Sequence, residues 1–288
     1  MSKTTILYNP LSGEGDTLLK AQELTVIDTD GFFSFMDVTS NIDYSELFLR
    51  HTEGDRIILL GGDGTLSRFA NAVYGLNTDA SLLFYPCGSG NDFARDVGYK
   101  RESDFIDIKE YIKNLPTVSV DGGEYHFING VGYGIDGYCC VVGDAKKANN
   151  RHKKVNYALI AIKGLLFHYK PTGAVVTVDG VSHRFERVWL APTMYGRYYG
   201  GGMMPAPRQR RECEGKLSCM VFHGTGKLRT LMIFPSIFSG SHVKHENCVT
   251  ILTGSEISIE YDSPRTLQID GEVIPRVKKC TCYANKCK

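Results

Sequence analysis

Charge of one sign is what this sequence lacks first: 33 Lys and Arg stand against 32 Asp and Glu. A chain so balanced has no global field to draw it onto nucleic acid. It also lacks any uncharged apolar run of about 18 residues, which argues against a transmembrane helix. The opening MSKTTILYNP has no signal-peptide pattern and runs straight into a strand-like stretch, so a cytoplasmic location is the expectation. Internal repeats and low-complexity segments are missing too. So is paired CxxC spacing: the nine cysteines are odd in number and scattered, as free thiols in a reducing compartment would be. CTCYANKC (280–287) and HVKHENC (242–248) contain candidate ligands without the spacing of a zinc site. Ordinary cysteines are the better reading.

What is present fits a soluble globular protein, with 42% hydrophobic and 23% charged residues over 288 positions, long enough for two domains. In the first hundred residues, TTILYN (4–9), FFSFMDV (32–38), RIILL (56–60) and SLLFYP (81–86) read as strands. TLLKAQEL, SELFLRHTEG and LSRFANAV between them read as helices. Apolar runs without alternation, joined by helices, predict a parallel sheet covered on both faces. After about residue 118 the rhythm becomes strand-turn-strand, with turns marked Asp-Gly or Gly-Gly, which predicts antiparallel sheet. VNYALIAIKGLLFHYK (155–170) is the one helical candidate there, either a core helix or one wall of an acyl-chain pocket. The expected division is an α/β domain over 1–118 and a β-rich domain over 119–275, with the tail 276–288 returning to the first.

RIILLGGDGTLSRF (56–69) ends a buried strand on three glycines around Asp63. One or two glycines make a tight turn. More are needed where backbone N–H groups must approach a bulky anion that any Cβ would hold away. NPLSG (9–13) follows the first strand and CGSGND (87–92) the fourth, so three such loops fall at the carboxyl edge, where ligands bind to open parallel sheets. Helix N-termini at that edge suit phosphate. Glycine, Asn and Asp are also routine loop punctuation, and for NPLSG alone both readings stand. No GxxxxGK[ST] occurs, so this is not a Walker A loop.

NPLSG, GGDGTL and PCGSGNDFAR closely resemble the nucleotide-binding motifs of the diacylglycerol kinase catalytic-domain family, which includes bacterial diacylglycerol kinase-like and sphingosine kinase-like lipid kinases. INGVGYGIDG (128–137), YYGGGMMPAP (198–207), EGKLS (214–218) and IDGEVIP (269–275) follow in the family's order, so the resemblance covers essentially the whole chain. GGDGT alone is shared with NAD kinases. The resemblance implies a phosphofructokinase-like α/β N-terminal domain and a β-sandwich-like C-terminal domain. It implies ATP bound by Asn9, Ser12, Gly13, Thr39, Gly61, Gly62, Asp63, Gly64, Thr65, Ser89 and Asn91.

Phosphoryl transfer to a hydroxyl needs Mg²⁺ against the phosphate charge and a carboxylate to accept the attacking proton. Asp63, Asp92, Asp136, Asp270 and Glu272 are the acidic candidates. Positions i and i+2 share a face in an extended strand, which would bring Asp270 and Glu272 to one side. Asp-Gly is on its own grounds more often a hairpin turn; the resemblance instead attributes the general base to this segment. One acid of the pair is then the base, with Asp63 a rival and Asp63 and Asp92 the Mg²⁺ ligands. A second, structural Mg²⁺ is in doubt, because CEGKLS puts Glu214 and Ser218 where relatives carry aspartates. A lipid acceptor would be met by transient peripheral contact with a membrane. KKANNRHKK (146–154) and Arg208, Arg210 and Arg211 are the candidate basic contacts, or merely solvated surface. A homodimer is compatible with all of this. An NAD-like or other soluble alcohol as acceptor, and a nucleotide-binding regulator without transfer activity, are the alternatives.

Overall fold

The computed structural model describes residues 2–13, 16–27, 32–99, 105–149, 160, 163–164, 169–211 and 215–285. The chain divides into two compact units, Met1–Asn114 and Leu115–Lys288. The first contains β1 (Lys3–Tyr8), α1 (Thr17–Ile27), β2 (Phe32–Asp37), α2 (Tyr44–Leu49), β3 (Arg56–Gly61), α3 (Asp63–Ala72), β4 (Ser81–Pro86), α4 (Asp92–Asp96), β5 (Ile106–Asp107) and α5 (Lys109–Lys113). Its sheet order is β2-β1-β3-β4-β5. The first four strands are parallel, and β5 closes the edge antiparallel to β4.

The unalternating apolar strands behave as expected. Ile6, Leu7, Ile57, Ile58, Leu59 and Leu60 are all buried, so β1 and β3 are covered on both faces. In α3 the apolar row Leu66, Phe69 and Ala70 is buried, at the spacing of one helix face. Helix α2 is shorter than the sequence predicts. Asp43 caps its start by accepting the Glu46 N–H at 3.0 Å. Beyond its end, buried His51 donates through Nδ1 to Leu47 O (2.7 Å) and bonds the Thr5 hydroxyl through Nε2 (2.9 Å). That pairing draws the chain back onto β1.

The second unit contains β6 (Thr117–Val120), β7 (Gly123–His126), β8 (Gly130–Tyr133), α6 (Ile135–Asn149), β9 (Thr172–Val178), β10 (Val181–Val188), β11 (Thr193–Met194), β12 (Leu217–Phe222), α7 (Lys227–Ile233), β13 (Val249–Gly254), β14 (Glu256–Ile269) and β15 (Glu272–Tyr283). Among the described residues its ten strands form one antiparallel sheet, ordered β13-β12-β11-β8-β14-β15-β6-β7, with the β9–β10 hairpin joined through β9 to β14. Every residue of β12 is buried, and its period of two shares them between two cores. Leu217, Cys219 and Val221 join the Val131, Val176, Ile259 and Leu267 side. Met220 and Phe222 join a second core with Trp189, Ile233, Phe234 and Ile237. The strand is therefore the middle of a layered, sandwich-like unit.

Two findings differ from the sequence expectations, and a third expectation lies mostly outside what the structure describes. Residues 276–283 do not return to the first unit; they continue β15, which pairs with β14 and β6, and Val277, Cys280 and Cys282 are buried in that core. Helices α6 and α7 stand where only strands and turns are expected. The candidate helix 155–170 lies mostly outside the described residues, although Ile160 is buried in the second core.

Candidate active site

The strand order reverses between β1 and β3, since β2 flanks β1 on one side and β3, β4 and β5 follow on the other. Loops leaving adjacent strands toward opposite faces open a crevice at their carboxyl ends. NPLSG and GGDGT are the two loops at that point.

They are bonded to each other. Asn9 Nδ2 donates to the Thr65 hydroxyl at 2.8 Å, and Ser12 Oγ lies 3.0 Å from the same oxygen. The first loop is fixed from within by the Leu11 N–H on Asn9 Oδ1 (2.9 Å) and the Thr17 hydroxyl on Asn9 O (2.6 Å). The third loop joins through Asp63, whose carboxylate accepts the N–H groups of Asp92 (3.0 Å) and Phe93 (2.9 Å). Asp63 thus clasps the start of α4, while Asn91, left-handed at φ 51°, accepts the Gly88 N–H at 3.0 Å. Asp92 is buried, and the Arg95 guanidinium lies 3.7 Å from it.

The glycines separate into two kinds. Gly61, Gly62 and Gly88 are required by packing: a Cβ on Gly88 would sit 2.4 Å from the Gly62 Cα, and one on Gly61 would sit 2.4 Å from the Thr65 side chain. Gly13 needs its freedom twice over, with φ +63° and the Cys87 carbonyl 2.6 Å from any Cβ. Gly64 is different. A Cβ there meets nothing within 4 Å and its φ is ordinary, yet it opens the first turn of α3, where free N–H groups face outward. The protein has no internal need of that glycine, and the space beside it suits an anion.

Of the residues expected to bind a nucleotide, Asn9, Ser12, Gly13, Gly61, Gly62, Asp63, Gly64, Thr65 and Asn91 therefore lie in three mutually bonded loops. Thr39 follows the neighbouring β2, where its N–H and hydroxyl both bond Asp37 Oδ1 at 2.7 Å. Ser89 lies in the third loop between Gly88 and Asn91. Cys87 opens the third loop and is buried, and that burial pushes its thiol up to about 11, against the opposing pull of Lys20.

Asp270 and Glu272 belong to the other unit, and there the extended geometry expected for them is corrected. Asp270 and Gly271 are the two central residues of the hairpin joining β14 to β15, with φ +46° and +99° and Ile269 paired to Glu272. Asp121-Gly122 and Asp179-Gly180 make the same turn with both φ values positive, as a two-residue type I′ hairpin requires. Asp270 adds something to its turn. Its carboxylate accepts the N–H groups of Ile128 (2.6 Å), Asn129 (2.9 Å) and Gly130 (3.0 Å). Arg211 holds the same segment from its other side, donating to the Ile128 carbonyl and to Asn129 Oδ1 (2.6 Å) over the Tyr195 ring. Glu272 is exposed at the start of β15.

Of the EGKLS stretch, Gly215 to Ser218 are among the described residues. Glu214 lies outside the described residues. Ser218 is buried and bonds Gln209 Oε1 (2.6 Å) and the Thr253 hydroxyl (3.0 Å). The two N–H groups of the Gln209 amide are shared among three carbonyls, Tyr195 (3.3 Å), Arg210 (3.0 Å) and Lys216 (3.1 Å). An amide NH₂ therefore stands where those carbonyls converge, and the described residues there bring no carboxylate. Among the described residues no group of three or more His, Cys, Asp or Glu is placed to hold a metal. In HVKHENC, His242 is buried and donates to the Pro205 carbonyl at 2.9 Å, which props the YYGGGMMPAP loop; burial lowers its pKa.

Gln209, Asn129 and Thr17 are missing from the sequence-derived set, and Arg211 entered it only as a candidate membrane contact. Of the three, only Asn129 carried a signal, within INGVGYGIDG. Of the basic groups, Arg208 and Arg210 are exposed while Arg211 is turned inward, and residues 150–154 lie outside the described residues.

Comparison with known proteins bears on both units. Residues 3–124 match the model of the diacylglycerol kinase catalytic domain. Residues 129–283 match that of the YegS C-terminal NAD kinase beta sandwich-like domain. The chain is 27% identical over 264 residues to a diacylglycerol kinase of Mycobacterium tuberculosis, covering 87% of this chain and 82% of that one. It is 24% identical over 290 residues to the diacylglycerol kinase of Bacillus subtilis, covering 94% and 90%. A crystal structure of a diacylglycerol kinase from Bacillus anthracis superposes with a TM-score of 0.61 at 19% identity, covering 99% of this chain and 94% of that one. That last likeness concerns the fold.

Proposed function

Because the chain belongs to the diacylglycerol kinase catalytic-domain family, we propose that it is an ATP-dependent lipid kinase that phosphorylates a hydroxyl of diacylglycerol or a related lipid. The observation that carries this reading is Gly64: a glycine with no packing or conformational reason, at a helix N-terminus on the reversing edge of a parallel sheet. ATP phosphates would lie against the N–H groups of Gly62 to Thr65, with Ser12, Gly13, Gly88 and Ser89 shaping the neighbouring walls. The Asn9–Thr65–Ser12 bonds hold two loops at fixed separation, so the cradle is formed before the nucleotide arrives and little ordering is left to do.

Asp63 and Asp92 are the residues that would hold Mg²⁺, which supplies charge neutralisation on the phosphates. Asp63 combines this with its clasp on α4, since each oxygen that accepts one N–H keeps a second lone pair. The general base is one of Asp270, Glu272 and Asp63. Asp270 is the more rigid of the late pair, with three N–H donors fixing its oxygens; Glu272 stands on the exposed strand end beside it.

The test is phosphorylation of a lipid extract with labelled ATP and Mg²⁺, run beside Asp270→Asn and Glu272→Gln. A labelled phospholipid product, reduced at least a hundredfold in one of the two variants, is expected. Turnover unchanged in both would remove the late acids from the chemistry. Label appearing only in a soluble alcohol would replace the lipid by the alternative acceptor.

A further inference from the structure

Helix α7 has apolar residues on both of its sides. Thr230, Ile233, Phe234 and Ile237 point inward and are buried, which is one complete helix face at i, i+3, i+4 and i+7. That row seats α7 and the following 3₁₀ turn, Phe234–Ile237, on the second core. The outward row is Leu228, Met232, Pro235 and Phe238, again at helical spacing. Leu228 is 74% exposed and Met232 75% exposed. The core does not use these side chains, and solvated helix positions ordinarily carry polar ones.

The stretch that carries this row is basic: between Gly224 and His245 the sequence contains no Asp or Glu, while Lys227, Arg229 and Lys244 are present. Lys227 and Arg229 are exposed and flank Leu228 directly. The helix is also held rigidly from below. The Thr225 and Thr230 hydroxyls bond at 2.6 Å, and the Trp189 indole N–H donates to the Thr225 carbonyl at 3.1 Å. A fixed, short, cationic helix with a protruding apolar row fits the interface of an anionic bilayer, where apolar burial and basic attraction act together.

We propose that the outer face of α7 and its 3₁₀ extension docks this protein onto anionic lipid. The inference rests on the lipid-kinase reading for its biological sense, though not for its test. The occupant is a phospholipid surface rather than a second copy, because two such cationic rims would repel when brought face to face.

Sedimentation with vesicles of phosphatidylglycerol and phosphatidylcholine, without ATP, measures binding directly. The wild-type chain is expected to bind these vesicles, to release them as salt rises, and to bind pure phosphatidylcholine weakly. The double variant Leu228→Ser with Met232→Ser should lose about tenfold or more in binding with an unchanged melting temperature, since both side chains are exposed. Lys227→Glu with Arg229→Glu should abolish the preference for phosphatidylglycerol. Wild-type binding equal to that of the serine variant, or no binding at all, overturns the proposal. So does a concentration-dependent dimer that the serine variant dissolves. Phosphorylation of detergent-dispersed diacylglycerol, unaffected by Leu228→Ser and Met232→Ser, tests the kinase reading separately: its absence beside intact vesicle binding defeats that reading and leaves this one standing.

Discussion

Replacing Gly64 and Gly88 by alanine should move stability and nucleotide affinity in different directions. At Gly88 the new methyl would lie 2.4 Å from the Gly62 Cα, which is backbone and cannot rotate away. Overpacking of this kind costs about 1–3 kcal/mol, so Gly88→Ala should melt earlier. At Gly64 a methyl meets nothing within 4 Å and φ lies in the ordinary range. Gly64→Ala should then stabilise the chain by about 0.4–1 kcal/mol, through the restricted unfolded state and better helix propensity. If phosphate oxygens approach the α3 N–H groups at about 2.9 Å, the same methyl occupies their position. Losing one such charge-assisted contact, about 1.5–3 kcal/mol, raises KM for ATP roughly ten- to a hundredfold. The assay is a thermal melt paired with ATP titration at saturating lipid. A Gly64→Ala protein that is more stable and has unchanged KM for ATP would refute the cradle, because nothing then comes close to that face.

Three further outcomes follow from other sites. Asp270→Asn should cost about 1–3 kcal/mol in chemical denaturation, because one amide oxygen cannot accept three N–H groups; Glu272→Gln, at an exposed position, should leave stability within about 0.5 kcal/mol, so activity per folded molecule separates the two roles. Gln209→Ala should destabilise the second unit by about 1–3 kcal/mol by stripping three carbonyls and Ser218 of their partner, and chelator should leave the wild-type melt unchanged; a wild-type melt that falls with chelator would put a cation in that cage. Asp55 accepts the Thr52 and Lys3 N–H groups at 2.8 and 2.7 Å, which holds its carboxyl below the usual range. Its contribution is therefore full above the unfolded value of about 3.9 and is lost as pH falls through the lower folded value, so Asp55→Asn should flatten the acid limb of a pH-stability curve; an acid limb identical to wild type would contradict this.

The first unit was legible because its signals are local. A strand buried on both faces shows as an unbroken apolar run, and Ile57 to Leu60 needed no partner to declare themselves. The three glycine loops were equally visible, since a glycine announces missing bulk in any context. What the sequence could not distinguish was why each glycine is there: Gly88 answers to Gly62 across the loops, whereas Gly64 answers to nothing in the chain. Helix α6 was hidden by Gly137 and Gly143, since glycine is among the weakest helix formers. Helix α7 was hidden by Leu228 and Met232, whose outward placement spoils the one-sided pattern by which helices are recognised. The partners of Asp270 and Gln209 come from distant segments, and no periodicity carries that information. Asp-Gly at 270–271 misled in one respect only. Turn and function looked like rivals, and the left-handed turn is what swings the Asp270 carboxylate back onto Ile128–Gly130.

The buried indole of Trp189 has a practical use. It is the chain's sole tryptophan, and it lies in the second unit's helical core with its N–H on the carbonyl two residues before α7. Excited at long wavelength, the protein emits from that one place. Fluorescence thus follows the loosening of the β-rich half alone, while far-ultraviolet dichroism sums over both. Denaturation curves that separate by the two methods would resolve the halves without cutting the chain.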